Sequence, residues 1–216
     1  MAQLTRAEII DAAVELLDQG VEALTMRSLA DRLSVTAAAL YYWFPAKAQL
    51  LDAIAEHVAA QIVATKERGA SWEDRLRSLA MAVFDAAEHH PATFNWVFRN
   101  YAMQPPLAKI DEAMLDVLMD AGFGAREAVL AKSTILRLVV GHLGLVVLPN
   151  HIDPSSVDVE SYPRAHQVAS ASAQLSPGDF LEYGLDHVIA SFGSPRRGRQ
   201  GDSPSGSRTS SANGQI

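Results

Sequence analysis

The chain has 216 residues, of which 49% are apolar, a net charge of −7 and no cysteine. That is enough apolar chain for a sizeable core, in one large helical domain or two small ones. The missing cysteine excludes disulfides, thiolate metal sites and a cysteine nucleophile. No signal pattern opens the sequence, and the longest apolar run, 138–148, is interrupted by His142. It falls well short of the roughly twenty residues that span a bilayer, so a cytoplasmic protein without a membrane partner is expected.

Charge is unevenly spread. The segment from 194 carries four arginines and one aspartate, or +3, which leaves −10 on residues 1–193. Residues 25–47 hold Arg27, Arg32 and Lys47 against Asp31 alone. Positive charge focused on one short stretch of an acidic body suits a specific nucleic-acid binder with weak sequence-independent affinity, because phosphate neutralisation supplies most of the latter.

Thr5-Arg6-Ala7-Glu8 predicts a capping box. The helix it opens carries Ile9, Ala13, Leu16 and Leu17 on one face and stops at Gly20. The stretch LTMRSLADRLSVTAAALYYWFPAK, Leu24 to Lys47, then divides into two short amphipathic helices. Leu29, Ala30 and Leu33 share a face of the first, and Leu40 and Phe44 share a face of the second. Thr25 and Thr36 are their N-caps, and Ser34-Val35 leaves room only for a turn. Such a pair is a helix-turn-helix, whose second helix lies in the major groove of DNA.

That second helix opens on Ala37, Ala38 and Ala39, small enough to let the backbone approach a base edge. It closes on Tyr41, Tyr42 and Trp43, which one buried face cannot absorb, since helical neighbours diverge by about 100°. The hydroxyls of Tyr41 and Tyr42 and the ammonium of Lys47 suit phosphate oxygens. Trp43 suits a small core equally well.

Over these residues the chain resembles the DNA-binding domain of the TetR family of transcriptional regulators. The resemblance implies Arg27 at the groove of a double-stranded operator, Thr36, Ala37 and Ala38 opening the recognition helix, and Tyr41, Tyr42 and Lys47 on the sugar-phosphate backbone. Three positions depart from the family pattern: Ser34 where a turn glycine is common, Trp43 where a histidine is frequent, and Ala46 where Ser or Asn usually caps. Ala37 and Ala38 cannot make bidentate bonds to bases. Readout is therefore expected to lean on Arg27, thymine methyls and DNA shape.

Pro45 ends the recognition helix, and Leu50, Leu51, Ile54, Val58 and Ile62 predict a helix from Lys47 to about Arg68. The resemblance makes it the lever joining head to body. A helix capped by Ser71 follows, with Trp72, Leu76, Leu79, Val83 and Phe84 inward, ending near His89-His90-Pro91. Next come a shorter helix with Phe94, Trp96, Val97 and Phe98, another from Leu107 to Gly122, and a long apolar one over 125–148 closed by Pro149. After a polar stretch, 150–176, a last helix begins at Pro177 with Phe180, Leu181, Leu185, Val188 and Ile189 on one face. It resembles the closing helix of tetracycline-repressor-like C-terminal domains.

No stretch alternates as a strand, so the expected fold class is all-α: an N-terminal three-helix head with a helix-turn-helix, joined by a long helix to a larger helical domain. The expected division is 1–46 for DNA binding, 47–193 for effector binding and dimerisation, and 194–216 as a disordered tail.

The histidines share no ligand spacing, and His89 and His90 diverge, so no metal or cofactor is expected. The family's tetracycline binders place histidines in their pocket to meet a drug–magnesium complex; Ile62-Val63 and Phe98 fall at those places here, which disfavours tetracycline. There is no G-x-S-x-G elbow, phosphate-cradling glycine loop or H-E-x-x-H, hence no expected catalytic residue. Phe84, Trp96, Phe98, Tyr101 and Met114 are candidates for an apolar effector pocket, with Arg137 as the anchor for an acidic or carbonyl group. Plain core is the competing reading for the aromatics, and a salt bridge or solvent-facing edge for Arg137.

The helices near 125–148 and 177–192 are expected to pair with their symmetry mates as a homodimer. Gly141 and Gly144 would admit the partner, and Leu185 would lie in the interface. The function expected is a dimeric repressor released from a palindromic operator by a small, largely apolar effector. The alternative is a helical small-molecule-binding protein or enzyme with a vestigial DNA-binding head.

Overall fold

Thr5 accepts from the Glu8 amide while Glu8 reaches back to the Thr5 N–H at 2.8 Å, and α1 (Arg6–Asp18) begins there. The computed structural model describes residues 4–65, 71–101, 104–146, 160–164, 166, 168 and 174–193. The expected helix end near Arg68, the stop at Pro149, most of the polar stretch 150–176 and the segment from 194 lie outside the described residues.

Thr25 and Thr36 cap α2 (Met26–Arg32) and α3 (Ala37–Trp43). Ile9, Ala13, Leu17, Leu24, Leu29, Leu40 and Phe44 bury their side chains between the three helices. Truncating a fully buried leucine such as Leu40 to alanine would cost about 2–5 kcal/mol.

The lever is α4 (Lys47–Ala64), which starts without a side-chain cap because Ala46 has none to offer. It packs chiefly on α7 and also on α1, α5 and α6. The body adds α5 (Trp72–His89), α6 (Pro91–Tyr101), α7 (Pro105–Asp120), α8 (Ala125–Val146) and α9 (Pro177–Ser191). Pro105 and Pro106 occupy the first turn of α7, where a missing N–H costs nothing, so they start a helix besides ending one. Leu76, Leu79, Val83, Met114, Val117 and Leu118 fill the centre, and α8 closes over it with Ile135, Val139 and Leu143. All described elements are helices, and among the described residues no helix is long and apolar enough to cross a membrane.

Two expected faces are corrected. Leu181, Leu185 and Ile189 point into the protomer, and Phe180, one residue off that stripe, is 47% exposed. Leu185 is wholly buried in its own chain, so it is no outer-face residue. The expected partner-facing glycines fare differently: among the described residues a Cβ at Gly141 or Gly144 would meet nothing within 4 Å, so that side of α8 is open to them.

Candidate nucleic-acid interface and ligand site

α2 ends in a Schellman turn that sets the angle of the helix-turn-helix. Ser34 N–H bonds to the Asp31 carbonyl and Val35 N–H to the Ala30 carbonyl, with Ser34 at φ +54°. The same motif closes α7, where the left-handed position is Gly122. Ser34 therefore holds a conformation that glycine adopts more cheaply.

The turn delivers α3 with its cap formed: Thr36 Oγ1 accepts from the Ala39 N–H at 3.3 Å. Leu40 is the one fully buried residue of α3 and roots it in the head. Ala38 is exposed, with Ala37 and Ala39 partly so. Tyr41 is 47% and Tyr42 82% exposed, whereas Trp43 rests on the core with its ring edge-on to Tyr42 at 5.7 Å. Arg27 and Lys47 are exposed, and among the described residues neither is engaged in a salt bridge. Arg32 is held by Glu15, so it is not equally free to meet a phosphate. The head and the start of the lever thus expose two cations outside any salt bridge among the described residues, two phenols and a row of small side chains.

The candidate ligand residues divide. Phe84 and Met114 are buried on α5 and α7, and Tyr101 at the end of α6 is 9% exposed. Trp96 leans on Tyr101 at 5.7 Å, and Phe98 stacks on Phe94 at 4.1 Å. Arg137 parts from this set. Two residues along a helix turn about 200°, so Arg137 faces away from Ile135 and Val139. It lies in an open groove of about 500 Å³ with Ser133, Leu136, Val140 and Gly141, its guanidinium on the Ser133 carbonyl at 3.3 Å. Arg137 therefore stands on a solvent-facing edge, the competing reading, and apart from the aromatics.

His142 stands where the arginine was expected. It falls three residues after Val139, on the inward side of α8, with its ring 5.6 Å from Phe84. Among the described residues its buried Nε2 has no hydrogen-bond partner. Its only mark in the sequence is the break it makes in an apolar run. No group of three or more histidines and acids suited to a metal occurs among the described residues.

The family described as bacterial regulatory proteins, tetR family, matches residues 9–54, and the tetracyclin repressor-like C-terminal domain matches residues 65–187. The chain is 36% identical over 187 residues to the class C tetracycline repressor protein of Escherichia coli, covering 82% of this chain and 78% of that one. It is 30% identical over 151 residues to an HTH-type transcriptional regulator of Saccharopolyspora erythraea, covering 69% of this chain and 64% of that one. A TetR structure from Streptomyces coelicolor superposes with a TM-score of 0.70 at 26% identity, covering 88% of this chain and 98% of that one. A TetR variant from Acinetobacter baumannii, in complex with minocycline, does so with a TM-score of 0.66 at 28% identity, covering 93% and 98%. With both halves of the chain matched, the protein belongs to the TetR family of bacterial transcriptional regulators.

Proposed function

We propose that this protein is a cytoplasmic, dimeric repressor that binds a near-palindromic operator and leaves it when a small, largely apolar effector fills the body. The observation that carries the reading is the exposure of Tyr41 and Tyr42 on α3 together with that of Lys47 and Arg27, neither cation being engaged in a salt bridge among the described residues. Phenols and an ammonium position a helix on phosphates, and Arg27 with Thr36, Ala37 and Ala38 is left to face the bases. Residues 1–46 then act as the head and 47–193 as the effector and dimerisation unit. The open side of α8, with Val140 and Gly141, is the surface for the second copy.

The effector site is assigned to Phe84, Trp96, Phe98, Tyr101 and Met114 of the body, with His142 Nε2, unpartnered among the described residues, in place of Arg137 as polar anchor. A ligand with one hydrogen-bonding group in an otherwise apolar frame fits that chemistry. Relatives are named for tetracycline, but Ile62, Val63 and Phe98 carry no atom that could meet a magnesium-bound drug. The reading is of a binding protein without catalysis.

The test is selection of bound sequences from a random duplex pool by the purified full-length protein. A recovered two-fold symmetric site, retained in a gel and lost on scrambling one half, supports the proposal. Recovery of no common sequence would sink it.

A further inference from the structure

α6 is capped from another helix. Its first intrahelical bond runs from the Phe94 N–H to the His90 carbonyl at 2.8 Å, which puts His90 at the cap position and Thr93 third in the helix. The Thr93 N–H is one of the orphan donors of a helix start, ordinarily met by the side-chain oxygen of a Ser, Thr, Asp or Asn at the cap. An imidazole at that position has no oxygen to offer. Asp18, the last residue of α1, supplies it instead: Oδ1 accepts from the Thr93 N–H at 3.0 Å, and Oδ2 is bonded to His90 Nδ1.

Thr93, wholly buried, adds a second tie through its hydroxyl, which donates to the Val14 carbonyl at 3.3 Å. Val14 and Asp18 are four residues apart and so neighbours on one face of α1. The far end of α6 is tied to the lever, where the Tyr101 hydroxyl donates to Asp52 at 2.7 Å. Thr93 and Tyr101 are eight residues apart, about 12 Å along the helix. α1 also packs directly on α4. The three helices thus close a triangle in which α6 is the brace, and two ties that far apart fix a tilt where one would leave a swivel.

We propose that Asp18 is a positioning residue for operator binding: by capping α6 it sets the tilt of the head on the body, and with it the half-site spacing that two heads accept. The inference rests on the operator-binding reading above. Each base pair added between half-sites moves one of them by about 3.4 Å and turns it by about 34°. A braced head cannot follow that shift. A swivelling head can, but it must then be ordered on the DNA, at a cost in affinity.

The test measures, by anisotropy, the affinity of the full-length protein for the selected operator and for duplexes with one base pair added or removed between its half-sites. The wild type should bind either altered duplex about tenfold more weakly or worse, whereas Asp18→Ala should bind the selected spacing about fivefold more weakly and lose only about twofold on either change. Asp18→Asn, which keeps an oxygen for the Thr93 N–H, should stay close to the wild type. Thr93→Val, which removes only the tie to Val14, should fall between them, and it carries the comparison if Asp18→Ala does not fold. Ser71→Ala is the control for lost stability. It removes a cap within the body, where Ser71 Oγ accepts from the Asp74 N–H at 3.1 Å, and should leave the spacing preference sharp.

A second arm reads the head without DNA. The chain has no cysteine, so Glu22→Cys in the head and Glu112→Cys on α7, both exposed positions, place two spin labels in one protomer diluted with unlabelled chain. The distance distribution between them should broaden in Asp18→Ala and keep its wild-type width in Asp18→Asn and Ser71→Ala.

An unchanged width in a folded Asp18→Ala protein would overturn the brace, whatever the operator does. Broadening beside a spacing preference as sharp as the wild type's, or equal flattening by Ser71→Ala, would overturn its role in positioning. Broadening in a protein whose wild type retains no operator would count against the functional reading and support the brace.

Discussion

The phenol of Tyr101, in the last turn of α6, donates to Asp52 Oδ1 on α4 across 2.7 Å. Burial, and then the bond to Asp52 and its negative charge, push the phenol up to about 12. The folded protein therefore keeps this proton where an unfolded chain, with tyrosine near pH 10, has begun to lose it. Stability from the pair is full below about pH 10 and is lost as pH rises towards 12. Tyr101→Phe should cost about 1 kcal/mol at pH 8, a fall in Tm of about 2–4 °C. It should also show a shallower loss than the wild type between pH 10 and 12 in urea unfolding. Equal slopes for the two proteins would argue that the bond does not persist in solution.

Ser34 at φ +54° predicts an unusual response to glycine. A left-handed serine costs about 1–2 kcal/mol, and the extra freedom of an unfolded glycine returns about 0.5–1 kcal/mol of that. Ser34→Gly should accordingly be neutral or up to about 1 kcal/mol more stable, whereas the β-branched Ser34→Val should lose about 1–2 kcal/mol. Thermal unfolding of the two variants decides, and destabilisation by glycine would contradict the turn geometry.

Contacts on DNA should separate by kind. Tyr41→Phe and Lys47→Ala are expected to weaken all sequences alike, with Lys47→Ala lowering the salt slope by about one phosphate's worth. Arg27→Ala should change the ranking of operator variants. A salt slope unmoved by Lys47→Ala would remove Lys47 from the phosphates.

Assembly should depend on outward residues. Val140 is 49% and Tyr183 67% exposed, while Leu185 is fully buried within the protomer. Val140→Asp and Tyr183→Asp should give helical monomers by sedimentation. Leu185→Asp should unfold the protomer, because an unpaired charge would be forced into a core. Dimers of undiminished affinity from both outward variants would place the interface elsewhere.

Acid should loosen two helix starts. The Thr5 N–H and then its hydroxyl hold Glu8 below the usual carboxylate range, and the Ser176 N–H and hydroxyl do the same for Asp179. Stability from such lowered acids is present above the ordinary carboxylate range and lost as pH falls through the folded value. Glu8→Gln/Asp179→Asn should flatten the stability loss between about pH 5 and 3, measured by circular dichroism.

Much of this was legible in the sequence because its causes are local. Thr5, Thr25, Thr36 and Ser71 each cap a helix whose bonded amide lies three residues on. The helix-turn-helix needs only such caps, a tight turn and two short apolar faces, all within 24 residues of chain. That at least one of Tyr41, Tyr42 and Trp43 faces outward could be read because three adjacent rings cannot share a face.

Tertiary structure alone decided which side of each body helix is inside. α8 and α9 carry apolar residues beyond one face, with Leu130, Val140 and Phe180 about half exposed, so periodicity alone does not distinguish the face toward the protomer's core from the face left open. Packing on α5 turned Ile135, Val139 and His142 inward and left Arg137 out, and it buried Leu185 while exposing Phe180. The pairs that join α6 and its start to α1 and to the lever belong to the same class. Asp18 and His90 lie 72 residues apart and Asp52 and Tyr101 49 apart, and neither side chain carries a mark of its partner. Their meeting depends on how α1, α4 and α6 cross, which is set by the sum of many apolar contacts that no short stretch of sequence contains.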